Sequence, residues 1–127
     1  MQDRVPYEFA VIRVVPKVER EEFMNIGVIL YSKRKKYLGI KYHVDDSKLK
    51  AFSEKIDVDL IKKYLHAWEL VCKGGKEGGP IGQQEMAVRF RWLSAPRSTI
   101  IQSSSIHPGI CTDPQAVLED LFQLYVL

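Results

Sequence analysis

Alternating apolar and polar positions in the first third of the chain predict three β-strands. Residues 7–15 are apolar on both sides of the alternation, which is typical of a central strand covered on both faces. Residues 25–33 and 37–44 follow as two further strands. The short charged turn of residues 33–36 joins them, so we expect these two strands to form an antiparallel hairpin.

A helical period replaces the alternation after the third strand. Asp45 or Asp46 can cap a short helix that runs through Phe52. A longer helix follows Asp57, and Gly74 ends it. Its apolar residues recur at intervals of three and four and predict one buried stripe: Val58, Ile61, Leu65, Trp68 and Cys72.

The second half of the chain is less regular. Residues 73–82 are rich in glycine and predict a flexible connection. Residues 83–93 fit an alternating strand or a helix, and we favour the helix because Pro96 follows directly. Residues 98–105 predict a fourth strand, and Asp113-Pro114 is a typical helix start for a last amphipathic helix.

Strands that precede most of the helices indicate an α+β domain. We predict an antiparallel sheet of three to four strands, packed on one side by helices as a single layer pair. The 127 residues fit one domain, residues 1–127. The third or fourth strand would form an exposed edge, which allows pairing in a homodimer.

Composition adds limits rather than a function. Apolar residues make up 46% and charged residues 28% of the chain, as in ordinary globular proteins. The net charge of +3 is too small to indicate nucleic acid by itself. No apolar run reaches the length of a membrane span, and residues 1–6 lack the apolar core of a signal peptide. We therefore expect a cytoplasmic protein, with Cys72 and Cys111 as free buried thiols.

Three motifs that could carry chemistry are incomplete. Residues 74–80 lack the Ser or Thr that follows the lysine of a phosphate-binding loop. His66 and Glu69 have the i, i+3 spacing of metal ligands, but no second pair accompanies them. His107 and Cys111 are close in sequence in a predicted loop, which does not make them a catalytic pair. We predict no catalytic residue, no cofactor and no metal, and an enzyme is the less favoured class.

Two polar stretches, residues 20–25 and residues 89–98, remain after the apolar positions are assigned to strands and helices. We take their residues, together with a late histidine, as candidate binding residues: Arg20, Glu22, Asn25, Arg89, Arg97 and His107. One interpretation is a structural ion pair between Glu22 and an arginine. Another is a site in which Arg13, Arg20, Arg89 and Arg97 share a cleft and hold an anion, with Glu22 or His107 as acid or base.

A basic turn offers a third interpretation. Residues 33–36 read Lys-Arg-Lys-Lys and could contact a phosphate backbone. Tyr31 and Tyr37 flank the turn, so base stacking is conceivable. A short basic run alone is a weak signal, and we do not favour nucleic-acid binding.

Several of these residues also carry a family resemblance. The chain resembles, from Tyr7 to Tyr125, a bacterial family catalogued as domain of unknown function 3037. The residues that carry the resemblance are Arg20, Glu22, 25–28, 89–93, 95–98, 107–109 and 113–114. The family has no assigned activity, so no catalytic residue can be carried over.

Genes of this family often lie beside genes for kinases that resemble the HipA toxin type. The resemblance therefore implies a kinase-like protein partner, and a non-enzymatic binding or accessory module is the favoured hypothesis. The alternatives are a small enzyme or ligand-binding protein for an anionic group held by arginines, and nucleic-acid binding through Lys33–Lys36.

Overall fold

A five-stranded antiparallel sheet forms the centre of the molecule. The computed structural model describes residues 3–16 and 22–127. The strands are β1 (Val5–Val14), β2 (Met24–Ser32), β3 (Tyr37–Tyr42), β4 (Ile101–Ser103) and β5 (His107–Cys111). Their order is β3-β2-β1, and β4 and β5 both pair with the remaining edge of β1. The predicted hairpin of β2 and β3 is confirmed, with Ser32 opposite Tyr37 at its turn.

Strand β1 is central because both of its faces are apolar. Ala10 and Ile12 belong to one buried cluster, whereas Phe9 and Val11 belong to another on the opposite face. The pairing of β1 with β2 shifts between Ile12 and Arg13, as in a β-bulge. The prediction of a central strand that is covered on both faces is confirmed.

Within the part of the chain that the structure describes, five α-helices accompany the sheet. They are α1 (Asp46–Phe52), α2 (Val58–Lys73), α3 (Gly79–Gly82), α4 (Met86–Ser94) and α5 (Pro114–Tyr125). Asp45, Asp57 and Asp113 cap α1, α2 and α5, because each carboxylate accepts a backbone N–H from the first helical turn. The helix that we favoured at residues 83–93 is confirmed as α4.

Helices cover both faces of the sheet. The apolar stripe of α2 and the inner face of α4 pack on the Ala10 side, while Leu118 of α5 packs on the Phe9 side. The α+β class is confirmed, but the sheet has five strands rather than three to four. The predicted single layer pair is also corrected, since the second apolar face of β1 needs a cover of its own and α5 provides it.

Two stretches are more regular than the sequence predicts. Residues 107–111, predicted as a loop, form β5, whose Pro108 is tolerated at the edge of a sheet. The glycine-rich connection contains a 3-10 turn at Lys76–Gly78 and the short helix α3. The N–H of Gly75 donates to the carbonyl of Gly82 at 2.7 Å, which closes this stretch into a compact loop. Among the described residues, none of the helices has both the length and the apolar character that a membrane crossing requires.

Candidate binding surface

Arg89 is a structural residue in the interior. Its side chain is 8% exposed and lies between the end of α2 and the start of α4. Nη1 donates to the carbonyl oxygens of Val71 and Cys72, both at 2.8 Å, and Nε donates to that of Gln84 at 3.1 Å. The guanidinium thus satisfies carbonyl groups at the C-terminal end of α2, which have no partner within the helix. Arg89 therefore has a structural role, and its assignment as a binding residue stays a prediction.

Arg97 lies in a more open position, just after α4. Its Nη1 donates to the carbonyl of Leu93 at 2.9 Å, and its Nη2 donates to that of Trp92. The guanidinium carbon lies 4.9 Å from the ring centroid of Trp68 and 4.6 Å from that of Trp92. Arg97 is therefore held by two helix-end carbonyls and by two aromatic rings.

A cleft of about 260 Å³ opens beside this arginine. Its lining residues come from α2, α4, the segment that leads into β4 and the first residue of β4: Tyr64, Ala67, Trp68, Trp92, Arg97, Thr99 and Ile101. We call it the aromatic cleft. Tyr64 is 38% and Trp92 37% exposed, whereas Trp68 and Ile101 are buried and form the floor. Leu60, one turn before Tyr64 on α2, is also exposed and extends the apolar surface.

The charge of Arg97 has no carboxylate partner within residues 3–16 and 22–127. Each ion pair found in this part of the chain involves another cation: Lys41, Lys62, His66 or Arg91. Partial burial lowers the pKa of Arg97 from its ordinary value, because the charged form loses hydration. Among the described residues, the cation in the aromatic cleft is thus compensated by carbonyl dipoles and ring faces and by no carboxylate.

Arg91 has a third role, although it belongs to the same stretch. Its Nη1 and Nη2 donate to the two carboxylate oxygens of Glu8 on β1, at 3.0 and 2.9 Å. This bidentate pair raises the pKa of Arg91. The structural ion pair of this stretch therefore joins Arg91 to Glu8, and Glu22 forms none with the described residues.

The other predicted stretch lies on the opposite side of the sheet. Asn25 donates from Nδ2 to the carbonyl oxygen of Tyr125, at the end of α5, over 3.2 Å. Arg13, which faces Asn25 across the β1–β2 pairing, stacks on Phe23 at 3.9 Å. Glu22 is exposed nearby, and Arg20 lies outside the described residues. Asn25 and Arg97 therefore do not meet, and Arg13, Arg89 and Arg97 contact different neighbours among the described residues.

Asn25 also lines a cavity of about 280 Å³ with His43, Asp45 and Lys48. Two of these polar groups already have structural partners, since Asp45 caps α1 and Asn25 holds the end of α5. The Oδ1 atom of Asn25 and the Nε atom of Arg13 are buried and have no hydrogen-bond partner among residues 3–16 and 22–127.

His107 and Cys111 lie on one strand and not in a loop. The His107 ring stacks on Phe9, with centroids 5.2 Å apart, while Cys111 is buried at the far end of β5. Four residues of extended strand separate two side chains by about 13 Å, which is far beyond hydrogen-bonding distance. The structure thus does not bring this pair together. Cys72 and Cys111 are both free and buried, as predicted.

The basic turn of residues 33–36 is exposed, but its flanking tyrosines are not available for stacking. Tyr31 is 7% exposed and stacks on Phe90, with centroids 5.2 Å apart. Tyr37 is half-buried and packs on the α5 side. A platform for bases is therefore missing at this turn, which leaves only its positive charge.

Comparison with known proteins places the chain in one family. A family model described as protein of unknown function (DUF3037) matches residues 9–126. The chain is a DUF3037 protein. The resemblance carried by its sequence motifs is thereby confirmed. Searches of curated proteins and of solved structures return no match.

In this DUF3037 chain, Glu69 of the His66–Glu69 pair has a structural contact. His66 Nδ1 lies 4.0 Å from Glu69 Oε1, but this oxygen also accepts a hydrogen bond from the Tyr42 hydroxyl at 2.8 Å. Together with burial, this contact raises the pKa of Tyr42 to about 12. No group of three or more potential metal ligands occurs in the described part of the DUF3037 chain.

Sequence reasoning missed the aromatic cleft itself. The spacing predicts Trp68 as part of the buried stripe of α2, and Trp92 stands between Arg91 and Arg97 in sequence without a predicted role. Tyr64 and Trp68 lie one turn apart on α2, which places both rings along one flank of that helix. The sequence signal for the cleft is a tyrosine one turn before a tryptophan of the buried stripe. This spacing does not show which other side chains complete the cleft.

Proposed function

We propose that this DUF3037 protein is a non-enzymatic binding module, and that the aromatic cleft is its contact surface for another protein. The observation that carries the proposal is that the exposed Tyr64 and Trp92 and the half-buried Arg97 line one cleft. Tryptophan, tyrosine and arginine are the residue types that dominate binding energy at protein interfaces. A kinase-like protein of the HipA type, suggested by the family resemblance, is the first partner to test.

The cleft has the form that an anchoring side chain needs. Trp68 and Ile101 form a buried apolar floor, and Tyr64 and Trp92 stand at the rim. An inserted side chain would lose its contact with water while it gained contacts with several rings. The hydrogen bonds that fix Arg97 hold one wall in place before a partner arrives, which reduces the entropy lost on binding.

The test is co-expression of the protein with the kinase-like candidate, followed by affinity measurement with purified components. We expect Tyr64→Ser and Trp92→Ser each to weaken the complex by roughly 30-fold, the effect of losing about 2 kcal/mol at an anchor residue. Thermal unfolding of each variant checks that the fold is retained.

Leu124→Ser is the matched control. Leu124 is 72% exposed and lies on α5, on the other side of the sheet from the aromatic cleft. Its substitution also removes an exposed apolar side chain, so it controls for a general loss of surface hydrophobicity. If Leu124→Ser weakened the complex as much as the cleft variants did, the cleft would not be the contact surface. Absence of any complex with the kinase-like candidate would remove that protein as the partner.

A further inference from the structure

The charge inside the aromatic cleft restricts what can fill it. Tyr64, Trp68 and Trp92 could by themselves form an aromatic cage, which is a typical receptor for a cation. The Arg97 guanidinium, however, already lies over Trp68 and Trp92, at 4.9 and 4.6 Å. A second cation would have to approach this charge, so the cleft repels lysine and arginine side chains.

The same guanidinium has donors left for an anion. An arginine has five N–H groups, and the contacts to Leu93 and Trp92 engage one on each terminal nitrogen. Nε makes neither of these contacts and is not among the buried side-chain atoms that lack a partner, so this donor is not sealed inside the protein. It is therefore available to a group that enters the cleft, beside the exposed side chains of Tyr64 and Trp92.

From this geometry we infer that the aromatic cleft binds a segment in which a carboxylate adjoins an apolar side chain. The inference rests on the proposed function and gives the chemistry of the partner. The apolar side chain packs against Tyr64 and Trp92, above the floor of Trp68, and the carboxylate accepts hydrogen bonds from Arg97. The guanidinium is already partly dehydrated in the free protein, which lowers the desolvation cost of the new ion pair.

The tryptophan content of the chain provides a direct test. The protein has two tryptophans, and both line the aromatic cleft. In a nitrogen-15 correlation spectrum both indole N–H signals therefore come from side chains that line the cleft. The probes are N-acetyl-leucine and N-acetyl-leucinamide, which have the same apolar side chain and differ in the carboxylate.

We expect both indole signals to shift with N-acetyl-leucine and the acid to bind about tenfold more tightly than the amide, since charge-assisted bidentate hydrogen bonds are the stronger ones. About 0.5 M sodium chloride should reduce this ratio, because salt screens the ion pair. Arg97→Gln should bring the ratio close to one. Tyr64→Ser should weaken both probes and leave the ratio in place, which separates anchoring of the charge from apolar contact.

Several results would overturn the inference. They are equal binding of acid and amide, no shift with either probe, or an acid preference that persists in Arg97→Gln. Indole shifts that depend on protein concentration without a probe would identify a second copy of the chain as the occupant instead. If the two probes bound equally and Tyr64→Ser still lost the protein complex, the proposed function would stand. Only the inference that the bound segment carries a carboxylate would be rejected.

Discussion

Arg89 and Arg97 belong to the same polar stretch and both donate hydrogen bonds to helix-end carbonyls, yet their surroundings differ. Arg89 is sealed between α2 and α4 and donates to three carbonyl groups. Arg97 donates to two and keeps one side open to the aromatic cleft. The comparison teaches that the same side chain stabilises the fold in one place and leaves a charge available for binding in the other.

Removal of the buried guanidinium should have the largest effect on stability. Arg89→Met keeps much of the side-chain volume but leaves the carbonyls of Val71 and Cys72 buried without donors. We expect a loss of about 3 kcal/mol in the free energy of unfolding, because buried charge-assisted hydrogen bonds contribute roughly 1.5–3 kcal/mol each and their losses overlap. Urea denaturation measures it. A loss below about 1 kcal/mol would contradict the capping role.

Gly74 tests the same contact from the other side. Its φ of 80° and ψ of 163° are a conformation that glycine adopts almost alone, and an added Cβ would lie 3.0 Å from Nη1 of Arg89. Gly74→Ala should therefore destabilise the protein by about 2 kcal/mol or more. Gly75→Ala is the matched control, since Gly75 has a φ of 104° but nothing within 4 Å of an added Cβ.

The difference between these two glycine variants isolates the effect on Arg89. In the Arg89→Met background the contact with the guanidinium is gone, so the two substitutions should become similar in cost. If Gly74→Ala and Gly75→Ala were equally destabilising in the parent protein, backbone strain alone would explain both. The separate contribution of the Arg89 contact would then be excluded.

At Arg97 the same substitution should matter less for folding. Arg97→Met retains apolar contact with Trp68 and Trp92 but loses two hydrogen bonds at a half-exposed site. We expect a loss of about 1 kcal/mol in the free energy of unfolding, because water can replace the lost donors. Urea denaturation of Arg97→Met and Arg89→Met side by side compares the two losses in the free energy of unfolding. Equal losses at the two positions would contradict the expectation that the buried Arg89 stabilises the fold more than the half-exposed Arg97 does.

Much of the fold could be predicted because local physics and tertiary structure agree. The caps at Asp57 and Asp113, the stripe of α2 and the double apolar face of β1 all follow from residue spacing. Strand β5 could not be predicted, since Pro108 and Gly109 are poor strand formers and only the pairing with β1 makes this segment extended.

The candidate site was less predictable than the fold. The sequence groups Arg89, Arg91 and Arg97, but it does not contain the information that separates them. Their roles depend on Val71, Glu8 and Trp68, which are distant in sequence and become neighbours only through the packing of α2, α4 and β1. Residue type predicted that arginines matter here, whereas partner and burial decide what each arginine does.

The smallest effect should come from the third arginine of the stretch. The Arg91 side chain is 53% exposed and that of Glu8 is 32% exposed, so water weakens their ion pair. We expect Glu8→Gln to change the free energy of unfolding by about 0.5 kcal/mol at low salt and by almost nothing in about 0.5 M sodium chloride. A double-mutant cycle with Arg91→Met separates the pair from other contacts of either residue. A coupling free energy above about 2 kcal/mol would place this pair with the sealed contact of Arg89, and exposure would then no longer explain the ranking of the three arginines.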